Sequence, residues 1–174
     1  DDAQGVLEKA YQASGGGDLG VRERLEDLQL RRAARQAASA QQHYEHERTP
    51  EAQQVLDRAR AGANQVELEV YAARADRDPH NARWQFELGM RLRKAGKPKQ
   101  AITAFQAARS DPKRRALVLL ELGECFQKVE QYKLALSHYE QAIEASAAGD
   151  ADTRKLALYR AGVLATGLRE LDLA

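Results

Sequence analysis

Residues 82–108, ARWQFELGMRLRKAGKPKQAITAFQAA, share a pattern with residues 116–142, ALVLLELGECFQKVEQYKLALSHYEQA, and this repetition decides the fold. A shift of 34 residues places small residues on small ones and large apolar residues on large ones. The matching pairs are Leu88-Gly89 with Leu122-Gly123, Ala101 with Ala135, Phe105 with Tyr139, Ala108 with Ala142, Ala82 with Ala116 and Leu92 with Phe126. A small residue lets two helix backbones approach closely, and a neighbouring large residue fills the remaining space. The pattern therefore predicts two successive helix–turn–helix units.

The turns inside and after these units are marked by residues that end helices. Gly96-Lys97-Pro98 separates the two helices of the first unit, and Ser110-Asp111-Pro112 ends that unit. A break near Glu130-Gln131 separates the helices of the second. A 34-residue unit with Leu-Gly, a large residue, Ala, Phe or Tyr, Ala and a closing Pro resembles the tetratricopeptide repeat. The resemblance implies an all-α fold, a right-handed superhelix of helical hairpins stacked as a solenoid.

The two whole repeats predicted here occupy residues 81–112 and 113–149. A partial third repeat is expected over 150–174, after a lengthened turn at Ala147-Ala148-Gly149-Asp150. In it Ala161-Gly162 stands in for Leu-Gly, and Ala174 takes the place of the small residue in the second helix.

Residues 1–17 are interpreted as the second helix of a truncated repeat and the turn after it. The basis is the spacing of Ala3, Val6, Leu7 and Ala10, which matches that of Ala101, Ala104, Phe105 and Ala108. Repeat arrays normally end in a polar capping element, and neither end of the chain offers one. We therefore expect a fragment of a longer array.

Residues 18–80 depart from the 34-residue pattern and predict an elongated antiparallel helical hairpin. Thr49-Pro50-Glu51 supplies an N-cap, a first-turn proline and an acidic first turn for its second helix. Residues at steps of three and four form an alanine-rich seam on each helix. These are Leu30, Ala33, Ala37, Ala40 and Tyr44 on the first helix, and Ala52, Leu56, Ala59, Ala63, Val66, Val70 and Ala73 on the second. The hairpin is an atypical repeat or a helical linker between two arrays.

Composition excludes several classes of protein. The 174 residues carry 27 Lys and Arg against 26 Asp and Glu, 43% are apolar, and Cys125 is the single cysteine. Balanced charge and ordinary apolar content argue against a disordered chain, and one cysteine excludes a disulfide scaffold. No run approaches the roughly 18 apolar residues of a membrane span. No signal peptide is visible at the start. Because a fragment of a longer array is expected, the location stays unknown, with the cytoplasm favoured.

No motif indicates catalysis, a cofactor or a metal. Gly15–Gly20 matches the dinucleotide fingerprint in letters, but it follows a helix and lacks a strand, so a flexible turn is expected. His43, His46 and Glu47 share one helical face without a further ligand cluster, which indicates a solvated surface. Cys125 has no His-and-acid arrangement around it and is interpreted as a buried structural thiol. We expect no enzyme.

Charge changes sharply between the two repeats. Residues 81–115 contain ten basic and two acidic side chains, whereas residues 116–153 contain two basic and seven acidic ones. Lys94, Lys97 and Lys99 cluster at one end of the helix pair and Arg109 to Arg115 at the other, so these basic residues form two separated rims, with no Phe or Tyr interleaved in either for base stacking. Nucleic-acid binding through these rims is the first alternative function.

The concave wall of such an array is, by the family resemblance, built from the first helix of each repeat. The candidate peptide-binding residues on it are Arg83, Phe86, Met90, Arg93, Lys94, Leu117, Leu120, Glu124, Gln127 and Tyr159. One subfamily clamps a C-terminal carboxylate with a Lys and an Asn, and the matching places here are Phe86 and Met90. That clamp is therefore not expected here. The alternative to peptide binding at these two positions is that Phe86 and Met90 pack against the neighbouring hairpin.

The expected function is non-catalytic protein–protein interaction, as a scaffold or adaptor. An apolar spot ringed by Arg and Lys suits a peptide or helix with a hydrophobic anchor and acidic flanks. Besides nucleic-acid binding, self-association through exposed repeat ends is the other alternative. The sequence does not name the partner.

Overall fold

The structure, a computed structural model, describes residues 2–146 and 150–172, with side chains described for 4–146 and 150–168. These residues form helices and no strand, so the expected all-α fold is confirmed. The helices are α1 Asp2–Ala13, α2 Leu19–Glu47, α3 Pro50–Arg77, α4 Ala82–Lys94, α5 Pro98–Ala108, α6 Arg115–Lys128, α7 Tyr132–Ala145 and α8 Ala151–Asp172. The turn residues 147–149 and Ala174, both used in the sequence interpretation, lie outside the described part.

The chain forms two compact units, Asp1–Val70 and Tyr71–Ala174, with the boundary inside α3. In the first unit α2 and α3 run antiparallel. Arg60 of α3 donates a hydrogen bond of 2.6 Å to Gln41 of α2. Farther from the connecting turn, Ala33 and Val66 line a common cavity of about 260 Å³. All the predicted seam residues of both helices are buried or half-buried.

The junction between α2 and α3 has the capping chemistry that the sequence predicted. The hydroxyl Oγ1 of Thr49 accepts a hydrogen bond from the backbone N–H of Ala52 at 3.1 Å, and Pro50 is the first residue of α3. Pro is tolerated there because the first N–H groups of a helix have no partner within it. The two long helices are therefore separated by only Arg48 and Thr49.

In the second unit, α4 with α5 and α6 with α7 form two helix pairs with the same contact at their centre. A Cβ atom placed on Gly89 of α4 would lie 2.7 Å from the ring of Phe105 on α5. A Cβ on Gly123 of α6 would lie even closer to the ring of Tyr139 on α7. Each aromatic ring occupies the space that a side chain would need, and both Phe105 and Tyr139 are fully buried. This is the small-residue and large-residue complement expected from the 34-residue pattern.

The turns within the two pairs also correspond. Gly96 has φ +70° and Glu130, 34 residues later, has φ +62°. In both turns an N–H reaches back to a carbonyl five residues earlier, from Lys97 to Leu92 and from Gln131 to Phe126, at 2.9 Å. This hydrogen bond is typical of a helix that ends in a left-handed residue. The chain therefore reverses in the same way twice, although only the first turn has a glycine.

The helix α8 differs from α4 and α6. It has 22 residues, against 13 and 14, and continues to Asp172. The preceding units place their left-handed turn residue seven positions after the central glycine, which in α8 corresponds to residue 169. The partial third repeat expected over 150–174 thus contributes one uninterrupted helix up to Asp172. No helix in the described residues is long and apolar enough to cross a membrane.

We predict that Gly89→Ala destabilises the second unit by about 1 to 3 kcal/mol. The added methyl group would overlap the Phe105 ring, and over-packing of this kind has that cost. The gain in helix propensity from Gly to Ala, about 1 kcal/mol, offsets only part of it. Urea unfolding followed by the fluorescence of Trp84, the only tryptophan, measures the change in this unit.

Gly162→Ala is the matched control, since a Cβ at this helical glycine meets no atom within 4 Å. At low micromolar concentration it should leave the unfolding free energy unchanged or raise it. An equal loss of stability in the two variants would show that the Phe105 contact is not the cause.

Candidate functional site

A polar pocket of the second unit is lined by residues of α4, α6 and α8, the helices that the sequence analysis assigned to the concave wall, and by Tyr132 of α7. Its volume is about 450 Å³. The lining residues are Arg93, Glu124, Gln127, Lys128, Tyr132 and Arg160. Three of these side chains are cationic and one is a carboxylate, so the pocket presents an excess of positive charge.

Ion pairs join the three helices beside this pocket. Arg93 of α4 donates from Nη1 to Glu124 Oε2 of α6 at 2.8 Å. Arg160 of α8 lies 3.3 Å from the other carboxylate oxygen of Glu124. Arg93 Nε also lies 2.7 Å from Oε2 of Glu121, an ion pair in which neither atom makes a hydrogen bond. Glu124 therefore connects α6 to both neighbouring helices.

The repeat geometry brings these side chains together. Arg93 and Glu124 are 31 residues apart, one helical turn short of the 34-residue repeat, so they lie at similar heights on adjacent first helices. Glu121 and Glu124 are three apart and share a face of α6. Tyr139 of α7 donates its hydroxyl to Gln127 at 2.8 Å, which ties the pocket wall to the ring packed on Gly123.

The carboxyl group of Glu121 is the most perturbed acid of this cluster. Burial raises its pKa from 4.5 to about 7, while the nearby Arg93 lowers the pKa and Glu124 raises it. Desolvation outweighs the attraction of Arg93 because the side chain is only 9% exposed. Near neutral pH this carboxyl group consequently exists in both its charged and neutral forms.

Only some of the predicted groove residues lie at this pocket. Arg93, Glu124 and Gln127 line it, whereas Lys94 is exposed, and Met90 and Leu117 are half-buried elsewhere on α4 and α6. Arg83 is exposed, with its guanidinium 5.0 Å from the Trp84 ring. Tyr159 lies on α8 in a different, apolar pocket.

Two of the predicted ligand contacts are core residues. Phe86 is 7% exposed and packs against Phe105, with ring centroids 6.0 Å apart, and Leu120 is 2% exposed. Neither side chain is available to a ligand on the surface, which corrects their assignment to the peptide-binding wall. Phe86 contacts Phe105 because α4 buries this face against α5, the second helix of its own pair.

Sequence reasoning missed Tyr132 and Arg160 as pocket residues. Arg160 directly follows Tyr159, which was selected, but successive residues of a helix lie about 100° apart around its axis. Arg160 therefore lies on the neighbouring face of α8. Lys128 lies 34 residues after Lys94, which was selected, so the repeat itself pointed to it. Tyr132 begins the second helix of its pair and carried no such signal.

The other candidate groups have structural surroundings. Cys125 is fully buried, and burial, with the nearby Glu121 second, raises its pKa to about 12. His43 lies 3.6 Å from Glu47, and both side chains are 49% exposed. Gly15 and Gly16 belong to the turn between α1 and α2. In the part of the chain that the structure describes, no group of three or more His, Cys, Asp or Glu is arranged to hold a metal.

No family model and no curated protein matches this chain. The function must accordingly be argued from the site.

Several basic side chains of 83–115 are engaged within the protein. Arg91 lies 2.6 Å from Glu87 and stacks 4.8 Å from the Tyr71 ring. Arg114 lies 3.3 Å from Asp111 and 5.6 Å from the Phe86 ring. Arg91, Arg93 and Arg114 therefore form ion pairs or ring contacts within the protein, which reduces the positive charge that residues 83–115 present to solvent.

We predict that the contribution of Glu121 to the stability of the second unit is lost as the pH rises from about 4.5 to about 7. The folded state binds this proton more tightly than the unfolded chain, so the contribution is present at low pH and lost through a pKa of about 7. One pKa unit corresponds to about 1.4 kcal/mol, which puts the full effect at about 3 kcal/mol at most. Urea unfolding followed by Trp84 across this pH range measures it.

The variant Glu121→Gln should flatten this part of the pH profile and be more stable than the parent above pH 7. Glu140→Gln, at an exposed position on α7, is the control and should keep the parent's profile. A Glu121→Gln profile as steep as the parent's would refute the assignment to Glu121.

Proposed function

We propose that the chain is a non-catalytic protein-interaction module of tetratricopeptide-like repeats that binds an acidic peptide or helix along α4, α6 and α8. The observation that carries the proposal is the open pocket of about 450 Å³ lined by Arg93, Lys128 and Arg160 against the single carboxylate of Glu124. Cationic side chains in excess of anionic ones complement carboxylate groups on a ligand and accelerate its encounter.

The architecture supports this assignment because α6 contacts both α4 and α8. Three adjacent helices then offer one continuous surface, already held in place by ion pairs on Glu124. A preformed surface avoids the ordering cost that a flexible one would bear on binding. Stacking of the hairpins into a right-handed superhelix is part of the same proposal.

The apolar part of the ligand would rest on the half-buried side chains Met90 and Leu117. The sequence interpretation also gave Phe86 this anchoring role, but Phe86 is buried, so Met90 and Leu117 are the anchors that remain. Acidic residues flanking this anchor would reach Lys94, Lys128 and the pocket beside it. The ligand class is therefore an amphipathic segment with one apolar residue and acidic neighbours.

The charged flanks can be tested with two pairs of lysines that the repeat makes equivalent. Lys94 and Lys128 are exposed and are the last residues of α4 and α6. Lys99 and Lys133 are also exposed and are the second residues of α5 and α7. Peptides are first selected from a random displayed library against the parent chain, and the enriched sequences are labelled for fluorescence anisotropy.

We predict that the library is enriched in acidic, singly anchored peptides and that Lys94→Glu/Lys128→Glu weakens their binding tenfold or more. Lys99→Glu/Lys133→Glu has the same net charge and should change the affinity much less, because neither of these two lysines lines the pocket. Affinity should also fall with salt.

Equal weakening in both double variants, or no enrichment at all, would contradict the proposal. A labelled single-stranded oligonucleotide, measured at low salt, tests the alternative of nucleic-acid binding. Binding of the oligonucleotide with loss in both double variants would favour that alternative.

A further inference from the structure

The helix α8 has an exposed apolar face that its own chain leaves open among the described residues. Leu158, Tyr159 and Val163 are 51%, 65% and 53% exposed. With Gly162, Thr166 and Gly167 they line a shallow apolar pocket. The opposite side of α8 packs against α7, where Ala157 and Leu164 are buried.

Comparison with α6 shows what this face is suited to. Aligning Gly162 with Gly123 places Leu158 and Tyr159 on Leu119 and Leu120, which are only 1% and 2% exposed. Gly123 lies under the ring of Tyr139, whereas a Cβ on Gly162 would meet no atom within 4 Å. Thus α8 presents the residues of a covered helix, including a glycine open to receive an aromatic ring, on an uncovered face.

The face is complementary to itself. In an antiparallel pair of α8 helices related by a two-fold axis between residues 160 and 161, Tyr159 lies opposite Gly162 of the second copy. Leu158 lies opposite Val163 in the same register, and the axis generates both contacts twice. Each tyrosine ring would then sit over a glycine, the contact made within this chain by Gly89 with Phe105 and Gly123 with Tyr139.

The charged residues of α8 are compatible with this register. Lys155 lies opposite Thr166 and Arg154 opposite Gly167, so the pairing places no like charges of the described side chains against each other. Arg160 is close to the axis along the sequence but does not line the apolar face, and its guanidinium lies 3.3 Å from Glu124 of its own chain.

We infer that this chain forms a homodimer through α8, with Tyr159 of each copy packed on Gly162 of the other. A single helix pair buries roughly 1,000 Å² or less in total, at the lower end of specific interfaces. Interfaces of this size belong to weak associations, so the dimer should form only at high protein concentration. Tyr159, assigned by the sequence interpretation to peptide binding, acts here in self-association.

Sedimentation velocity from low micromolar to several hundred micromolar concentration tests the inference. The parent chain should change from monomer to dimer and form no larger species. Val163→Glu should abolish the dimer, because a carboxylate would be buried against Leu158 of the second copy. Leu134→Glu, at an apolar position of similar exposure on α7, is the control and should dimerise like the parent.

Gly162→Ala separates the interface from the fold. The added methyl group has open space in the monomer, so the Trp84 unfolding curve should not move to lower urea, while dimerisation should weaken tenfold or more. A monomer throughout the concentration range, or a dimer that survives both Val163→Glu and Gly162→Ala, would overturn the inference. Growth into species larger than a dimer would also overturn it, since such growth requires a head-to-tail contact instead.

Discussion

The close approach of two helices at a glycine, with an aromatic ring filling the space, is the contact on which the second unit depends. It occurs between Gly89 and Phe105 and again between Gly123 and Tyr139. Because these rings are fully buried, their positions fix the separation of α4 from α5 and of α6 from α7. The two pairs also contact each other, through α5 with α6 and α4 with α6, and there Arg93 of α4 lies 2.8 Å from Glu124 of α6.

The cluster of Arg93, Glu121, Glu124 and Arg160 contains a carboxyl group whose burial is unfavourable for folding. Glu121 is desolvated enough for its pKa to reach about 7, and Arg93 only partly compensates. Buried ion pairs add little net stability even when both charges are paired. The cluster is therefore better explained by the orientation that it gives to its side chains than by a contribution to folding. In our account, Glu121 and Glu124 hold Arg93 and Arg160 in place, and this leaves the guanidinium groups oriented along a surface that an acidic ligand can share.

Much of the fold could be predicted because it depends on spacing along one helix. The 34-residue offset matched Gly89 with Gly123 and Phe105 with Tyr139, although it did not show that each ring packs on a glycine. The steps of three and four identified the seams of α2 and α3. Thr49 and Pro50 located the start of α3 within a residue. The site was harder, because burial depends on several neighbours at once: Phe86 and Leu120 looked accessible on one helix but are covered by others. The ion pairs of Glu124 join three helices, and no single periodicity contains them.

A double-mutant cycle between Gly89→Ala and Phe105→Leu measures the central contact most directly. If the methyl group and the ring compete for one space, replacing the ring with the smaller leucine should relieve the strain. The double variant should then be more stable than the sum of the single changes by about 1 kcal/mol or more, as expected for residues in contact. Additivity within about 0.5 kcal/mol would contradict the account, because it would mean that the glycine and the ring do not share that space.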